Sequence, residues 1–529
     1  MKINKIKKAA IYISMIAAVG CTSDFESTNT NPQGATNETL SQDFGIVSAP
    51  MKVMFNNVII QMPEWQYQLQ QNLNADIWSG YMATPTGFAG GSNNTTYNLI
   101  DGWNGFIWNI AYGNFMSNAL KVEQLAKDNL KDVYAMSLVL KVQGMHRVTD
   151  IYGPIVYSKF GTESSTVEYD SQEQVYTQMF SELDTAINQL MIGADSGAEP
   201  IKNIDQSSYG GNHVLWIKYA NSLRLRLAMR LVEIKPALAK SQALAAINQK
   251  YGVIKSNDEN FVLKSATPNA INTISSGWGD ICMSADMESI MGGYNDPRIT
   301  KYFSASTQFS GEYKGVRTGI EIASKADHSD FSRIGDVVKT GNIVFLSAAQ
   351  TSFLLSEAAL RGWTSGSAKA LYENGISLSF SQNGVSGDAS YIQNNTNKPK
   401  DYVDAASVAI PAYAVNNSPA VSTITVAWDD AASNEIKLEK IITQKWIAGF
   451  PEGQEAWSEY RRTGYPKLFP VLKNTSGGKI STEFGPRRIN FAQSEKDGNP
   501  GGVATGVAKL GGLDNGGTRL WWDTTGPNF

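Results

Sequence analysis

Apolar residues recur every three to four positions along much of this chain, and that spacing narrows what it can fold into. Val175, Met179, Leu183, Ile187 and Leu190 follow one another at helical intervals with Glu173, Glu182 and Asp184 among them, the pattern of an amphipathic helix with one buried face. Trp216, Tyr219, Leu223, Leu227 and Leu231 do the same, with Arg224, Arg226 and Arg230 interleaved and Pro236 just after. Segments 133–145 and 343–360 are apolar nearly all round, as central helices of a bundle are. Further helices are expected at 368–380 and 435–450. The neighbouring segments 343–361 and 368–380 point to helix-turn-helix units, although no fixed-period repeat is present. Gly/Asn/Thr-rich stretches separate the helices at 84–98, 253–280, 304–340, 383–430 and 472–519. Loops of that length in a compact domain carry function or short strands of their own. The expected fold is mainly α: helical hairpins with long irregular insertions and a few short strands.

The first residues carry an address. Lys2, Lys5, Lys7 and Lys8 precede an apolar run from Ala9 to Gly20, and Ala18-Val19-Gly20 leads into Cys21. A basic segment followed by about a dozen apolar residues is a secretory signal, too short to span a bilayer as a helix. Small residues ending in a cysteine make it a bacterial lipoprotein signal, in which the Cys21 thiol takes a diacylglycerol and cleavage leaves it as the acylated N-terminus. The alternative is an ordinary secreted protein whose Cys21 merely follows the cleavage site. Residues 1–20 are read as the signal peptide. Residues 21–45, polar and poor in large apolar side chains, are read as a flexible lipidated tether.

Several chemistries are excluded or weakened. Cys21 and Cys282 are the only cysteines, and lipidation uses the first, so neither an intrachain disulfide nor a thiolate metal cage is available. Cys282, within Ile281-Cys282-Met283-Ser284-Ala285, reads as a buried free thiol. A net charge of −4 offers no electrostatic footprint for nucleic acid. His146, His213 and His328 stand far apart in no zinc-binding spacing, and no G-x-S-x-G elbow exists. Gly478-Lys479 continues with Ile480 rather than the Ser or Thr of a phosphate loop. Carboxylate pairs for glycoside hydrolysis assemble only in the fold, so a surface glycosidase stays open. Gly512-Leu513-Asp514-Asn515-Gly516 lacks the spaced acids of an EF-hand and reads as a turn; no cofactor or metal site is expected, and a structural calcium is left open. The chain reads as a binder rather than a catalyst.

A set of stretches then narrows the reading. Arg147-Val148-Thr149-Asp150-Ile151-Tyr152-Gly153-Pro154 is followed by Tyr169-Asp170-Ser171-Gln172-Glu173, and later come Trp216 to Arg226 and Tyr294-Asn295-Asp296-Pro297-Arg298-Ile299. Phe353 to Trp363, Glu439 to Trp446, Glu455 to Pro466, Pro486-Arg487-Arg488-Ile489 and Leu520-Trp521-Trp522-Asp523 complete the series. In this order they resemble the SusD/RagB family of nutrient-binding outer-membrane lipoproteins of Bacteroidetes. The resemblance implies one domain over 46–529, built on a tetratricopeptide-like scaffold with an irregular ligand-holding face. It also implies a lipid-anchored place in the outer membrane, and Asp24 and Glu26 after the lipidated position resemble the tag that sends such lipoproteins to the exterior. The implied partner is a SusC-like TonB-dependent transporter, to which the protein delivers a captured oligosaccharide. Some branches take peptides, so a peptide binder or a structural component of the same surface complex is the alternative. Arg147, Asp150, Arg461, Arg462, Trp446 and Trp457 are expected to hold packing together rather than ligand.

Ligand residues follow from the chemistry of a sugar, which has a polar rim and an apolar C–H face. A receptor without catalytic duties needs flat aromatic platforms flanked by amides, hydroxyls and carboxylates. The stretch from Trp78 to Tyr97 interleaves aromatics with Gly, Asn and Thr, making Trp78, Tyr81, Phe88, Asn93 and Asn94 candidates; the competing reading packs Trp78 and Tyr81 inward. Trp65, beside Gln66, Tyr67 and Gln68, is a further candidate, as are Trp278 and Asp280 in Ser275-Ser276-Gly277-Trp278-Gly279-Asp280, and Tyr294. For each, core packing is the competing reading.

Overall fold

Each amphipathic helix has one face to bury, and here the helices bury them in pairs. The structure, a computed structural model, describes residues 44–265 and 267–529. The signal peptide, Cys21 and the tether as far as residue 43 lie outside the described residues. Contacts divide the chain into a short unit, Met1–Ala49, and a large one, Pro50–Phe529; the following concerns the large unit. Its frame consists of α1 (Lys131–Tyr152) with α2 (Gln172–Ser196), α3 (His213–Arg230) with α4 (Pro236–Ile247), α5 (Ala348–Leu360) with α6 (Ala368–Gln382), and α7 (Asn434–Gly449) with α8 (Gly453–Thr463). The hairpins also pack on one another, α2 on α3, α3 on α5 and α5 on α7, in a tetratricopeptide-like stack.

Local chemistry sets the helix ends. At the start of α2 the Gln174 amide N–H donates to Ser171 Oγ (3.2 Å) while the Ser171 N–H donates to Gln174 Oε1 (2.8 Å), a reciprocal capping box. The other end closes on Gly197, whose φ of +68° suits a residue without Cβ. The segment 343–360, expected as one helix, is a strand and then a helix. Ile343–Leu346 forms a β-strand and Ser347 caps α5, its side chain accepting from the Gln350 N–H at 3.2 Å. A continuous apolar run fits a buried strand as well as a helix, and the β-branched Ile343 and Val344 favour the strand. The stretch 472–519, expected to be irregular, contains helices Gln493–Gly498 and Pro500–Leu510. There the Asn499 side chain caps the Gly502 N–H at 3.2 Å and Pro500 pre-sets the first turn, outweighing the Gly501-Gly502 pair.

The hairpins meet around buried charge. Arg230 on α3 lies 2.6 Å from the Glu455 carboxylate and 3.3 Å from that of Asp150, and also pairs with Glu459. Lys445 on α7 reaches Glu455 at 3.2 Å and Glu459 at 3.0 Å. Arg462 holds both oxygens of Glu357 on α5, each at 2.8 Å. Burial alone would raise the Glu455 carboxyl, but Arg230, Arg226 and Lys445 outweigh it and hold it at about 2.

The insertions cover one side of this frame and are tied down by two short antiparallel ribbons. In one, β1 (Met82–Ala83) pairs with β3 (Cys282–Met283) in the register Met82↔Met283 and Ala83↔Cys282. In the other, β2 (Phe261–Leu263) pairs with β4 (Ile343–Leu346). Beneath the first ribbon Ala83, Cys282, Val316, Ile320, Phe331 and Tyr413 form a small apolar core, joining loops far apart in sequence. The Cys282 thiol is free and buried there, and burial pushes it up to about 12. Just after β3, Asp286 accepts the Phe469 N–H at 2.7 Å, anchoring the 468–471 segment; burial raises its carboxyl to about 7. Burial likewise raises Asp76, which accepts from Tyr67 and Gln71, to about 6. No described helix is long and apolar enough to cross a membrane.

Two outcomes follow. Replacing Arg230 by Met leaves three buried acids without their shared partner and is expected to cost about 3–5 kcal/mol in urea unfolding; a loss below about 1 kcal/mol would show that the cluster is dispensable. A carboxyl raised on folding favours the native state fully below its ordinary range and loses that contribution as pH rises through its folded value. Their contribution to stability is therefore expected to fall from the ordinary aspartate value of 3.8, where the unfolded chain ionises, and to level off above about 6 for Asp76 and about 7 for Asp286. Asp286→Asn should flatten part of that decline in urea unfolding curves taken across the range.

Candidate ligand-binding site

The loop after Trp78 is held from the inside. Trp78 is only 6% exposed; its ring lies 4.9 Å from that of Trp457 and its indole N–H donates to the Asn94 carbonyl at 3.0 Å. Tyr81 is buried between Trp446 (5.1 Å) and Phe450 (5.3 Å) and donates its hydroxyl to the Trp446 carbonyl. Asn93 caps a short turn, accepting from the Thr95 N–H at 2.8 Å and donating to the Phe88 carbonyl at 2.6 Å. Asn94 donates to the Leu73 carbonyl and to Asn104 Oδ1, both at 2.8 Å. Tyr294 is buried, its hydroxyl donating to the Ile424 carbonyl at 3.3 Å. These five candidates are therefore corrected: Trp78, Tyr81, Asn93 and Asn94 hold their loop from the inside, and Tyr294 is buried against Tyr391. A loop of Gly, Asn and Thr must satisfy its own backbone, and in this one the amides do so rather than a ligand.

The other candidates reach the surface. Trp65 is 46% exposed and Trp278 is 39% exposed. Trp65 lies on the helical turn Glu64–Tyr67, which continues as a wider π-helical segment, Gln68–Asp76. Its ring packs against Phe106 at 5.5 Å. Phe106 and Trp103 are three apart on helix Asp101–Ile110 and so share one face, and Phe88 meets Trp103 edge-on at 6.0 Å. The result is a row of aromatic side chains, Trp65, Phe106, Trp103 and Phe88, all but Trp65 half-buried. Sequence reading missed Trp103 and Phe106. Their spacing of three within an otherwise apolar segment was the available signal, but nothing in it said which face would be covered.

Polar groups adjoin the row. Gln68, on the same face as Trp65, donates to Asp280 Oδ2 at 3.1 Å, and Lys325 donates to Asp280 Oδ1 at 2.8 Å and to the Trp278 carbonyl at 2.7 Å. Asp280 thus ties Trp65's segment to Trp278's through two side chains that the sequence reading did not single out. Gly279, with φ +67°, makes the turn between Trp278 and Asp280. Exposed flat rings next to an amide, a carboxylate and an ammonium group can stack on an apolar face and hydrogen-bond a polar rim at once. No three His, Cys, Asp or Glu side chains converge on a metal position among the described residues.

The model of a family described as SusD-like, Susd and RagB outer membrane lipoprotein, matches residues 27–523. The chain belongs to the SusD-like family. A chitin-binding SusD homolog from Flavobacterium johnsoniae is 60% identical, covering 91% of this chain and 100% of that one with a TM-score of 0.89. A SusD homolog from Bacteroides vulgatus is 39% identical over 92% of this chain and 99% of that one, with a TM-score of 0.86. One from Bacteroides uniformis is 35% identical over 91% and 99%, with a TM-score of 0.83. No curated protein sequence matches. The helical stack with few short strands is the fold of these SusD homologs.

The two tryptophan classes are separable by experiment. Trp78→Ala removes a buried indole and is expected to cost about 3–5 kcal/mol in urea unfolding. Trp65→Ala should lose no more than about 1 kcal/mol, because half of its ring already faces water. Equal losses would contradict this placement.

Proposed function

We propose that this chain is a cell-surface lipoprotein that captures a glycan on the Trp65–Phe106–Trp103–Phe88 row and its Trp278–Asp280 flank. Cys21 anchors it to the outer membrane through acyl chains, and the captured oligosaccharide passes to a SusC-like TonB-dependent transporter. Its role is binding, without catalysis. The observation that carries this reading is the exposed aromatic row with polar side chains beside it. The 60% identical relative from Flavobacterium johnsoniae is described as chitin-binding, which makes chitin oligosaccharides the first ligands to try.

Magnitudes fit a receptor that must release its cargo. Stacking one sugar face on an indole buries ~60–80 Å², worth on the order of 1.5–2 kcal/mol. Two or three such platforms with hydrogen bonds, less ordering costs, give affinities of about mM to µM.

Calorimetry with chitohexaose is expected to show saturable binding, weakened about tenfold by Trp65→Ala and by Trp278→Ala. Binding confined to a peptide pool would replace the glycan reading with a peptide one. Silence towards chitin, plant and microbial oligosaccharides and peptides alike would overturn capture as the function.

A further inference from the structure

A cavity of about 450 Å³ opens on the other side of the segment that carries Trp65. Tyr67 and Gln71, four apart, line it, whereas Trp65 and Gln68 share the outer face. Its size lies within the ~300–1,000 Å³ of small-molecule sites. The cavity belongs neither to the aromatic row nor to the buried ion pairs.

The floor is already satisfied by the protein. Tyr67 donates to Asp76 Oδ2 at 2.9 Å, Gln71 donates to Asp76 Oδ1 at 3.0 Å, and Glu452 holds Arg147 at 2.7 Å. The side walls are different. Gln61 Oε1 accepts the Ala270 N–H at 2.9 Å, Asn269 Oδ1 accepts the Ile271 N–H at 3.0 Å, and Gln382 Oε1 accepts from Asn260 Nδ2 at 3.2 Å. Each wall amide oxygen thus accepts one hydrogen bond from the protein, which fixes the amide's orientation. Among the described residues none of their NH₂ groups has a hydrogen-bond partner, and Gln61 Nε2 is buried without one. A buried unpaired donor is costly unless something fills its place.

The lining therefore offers the NH₂ groups of Gln61, Asn269 and Gln382 as donors. Its carboxylates already have partners, Asp336 with Lys339 at 2.6 Å and Glu452 with Arg147 at 2.7 Å, and Lys301 adds one more donor. Ile59, Ile271, Ile343 and Phe450 supply apolar wall. A fitting occupant is small and uncharged, rich in acceptor oxygens, and apolar on one face. We propose that this cavity is a second binding site, for a single neutral sugar unit or a disaccharide, separate from the aromatic row. It rests on the reading of the chain as a glycan binder only for the class of its ligand.

The test uses the intact protein in calorimetry with two probes, N-acetylglucosamine and chitohexaose. Val344→Trp fills the cavity from a half-buried wall position, and Gln382→Leu removes one donor at an exposed position that does not support the core. N-acetylglucosamine is expected to bind at about mM Kd, at least about tenfold more weakly in both variants and unchanged in Trp65→Ala. Such binding persists in support of the cavity even if chitohexaose fails to bind the row, which would overturn only chitin as the ligand of the row. Monosaccharide binding lost in Trp65→Ala and kept in both cavity variants would overturn the cavity site. So would chitohexaose binding at the row with no monosaccharide binding up to about 50 mM, leaving the proposed function standing. Silence towards both probes would overturn the cavity site and chitin as the ligand of the row.

Discussion

Arg230 sits buried on α3 among the carboxylates of Asp150, Glu455 and Glu459, and most of the architecture can be traced from that arrangement. A lone buried charge costs several kcal/mol, so α3 is stable in the interior only if α1 and α8 arrive with their acids in place. Glu455 and Glu459 exceed what Arg230 can neutralise, which draws in Lys445 from α7; Arg462, beside Glu459, draws in Glu357 from α5. Arg226, Arg230, Lys445 and Arg462 thus face Asp150, Glu357, Glu455 and Glu459, and the cluster is close to neutral. Apolar faces alone would let hairpins slide by a turn. Ion pairs with bidentate geometry, such as Arg462 on Glu357, fix one register.

That fixed frame explains how long insertions can present a defined surface. Asp150 also accepts from Tyr176 (2.6 Å) and the Trp522 indole (2.9 Å), carrying the network out to the C-terminal segment. Arg461 lies over Trp457 at 3.5 Å, and Trp457 is the ring on which Trp78 packs. A chain of packed side chains therefore runs from the ion-pair cluster to the loop behind the aromatic row. The row itself is preformed, so stacking a sugar on it would order few additional groups, which favours binding without large affinity.

Legibility in the sequence varied with how local the determining interaction is. The α2 and α3 periodicities and the roles of Arg147, Asp150, Arg461 and Arg462 as packing residues could be read, because they rest on spacing or on the cost of burying a guanidinium. Ile343–Leu346 could not be placed, since its strand depends on the partner Phe261–Leu263, some eighty residues earlier in the chain. Trp78 and Trp65 look alike in sequence: each is an aromatic among polar neighbours. Trp457 covers the first, whereas the second packs on Phe106 and stays half in water, a difference that no neighbour in the sequence encodes.

By itself the sequence determined the helical class and the family, because each depends on residue type at short spacing or on an ordered set of motifs. Tertiary structure alone decided which aromatics face outward and that Asp280 would join Gln68 to Lys325. It also decided that Gln61, Asn269 and Gln382 would line one cavity. The reason is physical. Exposure and hydrogen-bond partnership are properties of what the rest of the chain brings to a residue, and those partners come from loops up to several hundred positions away.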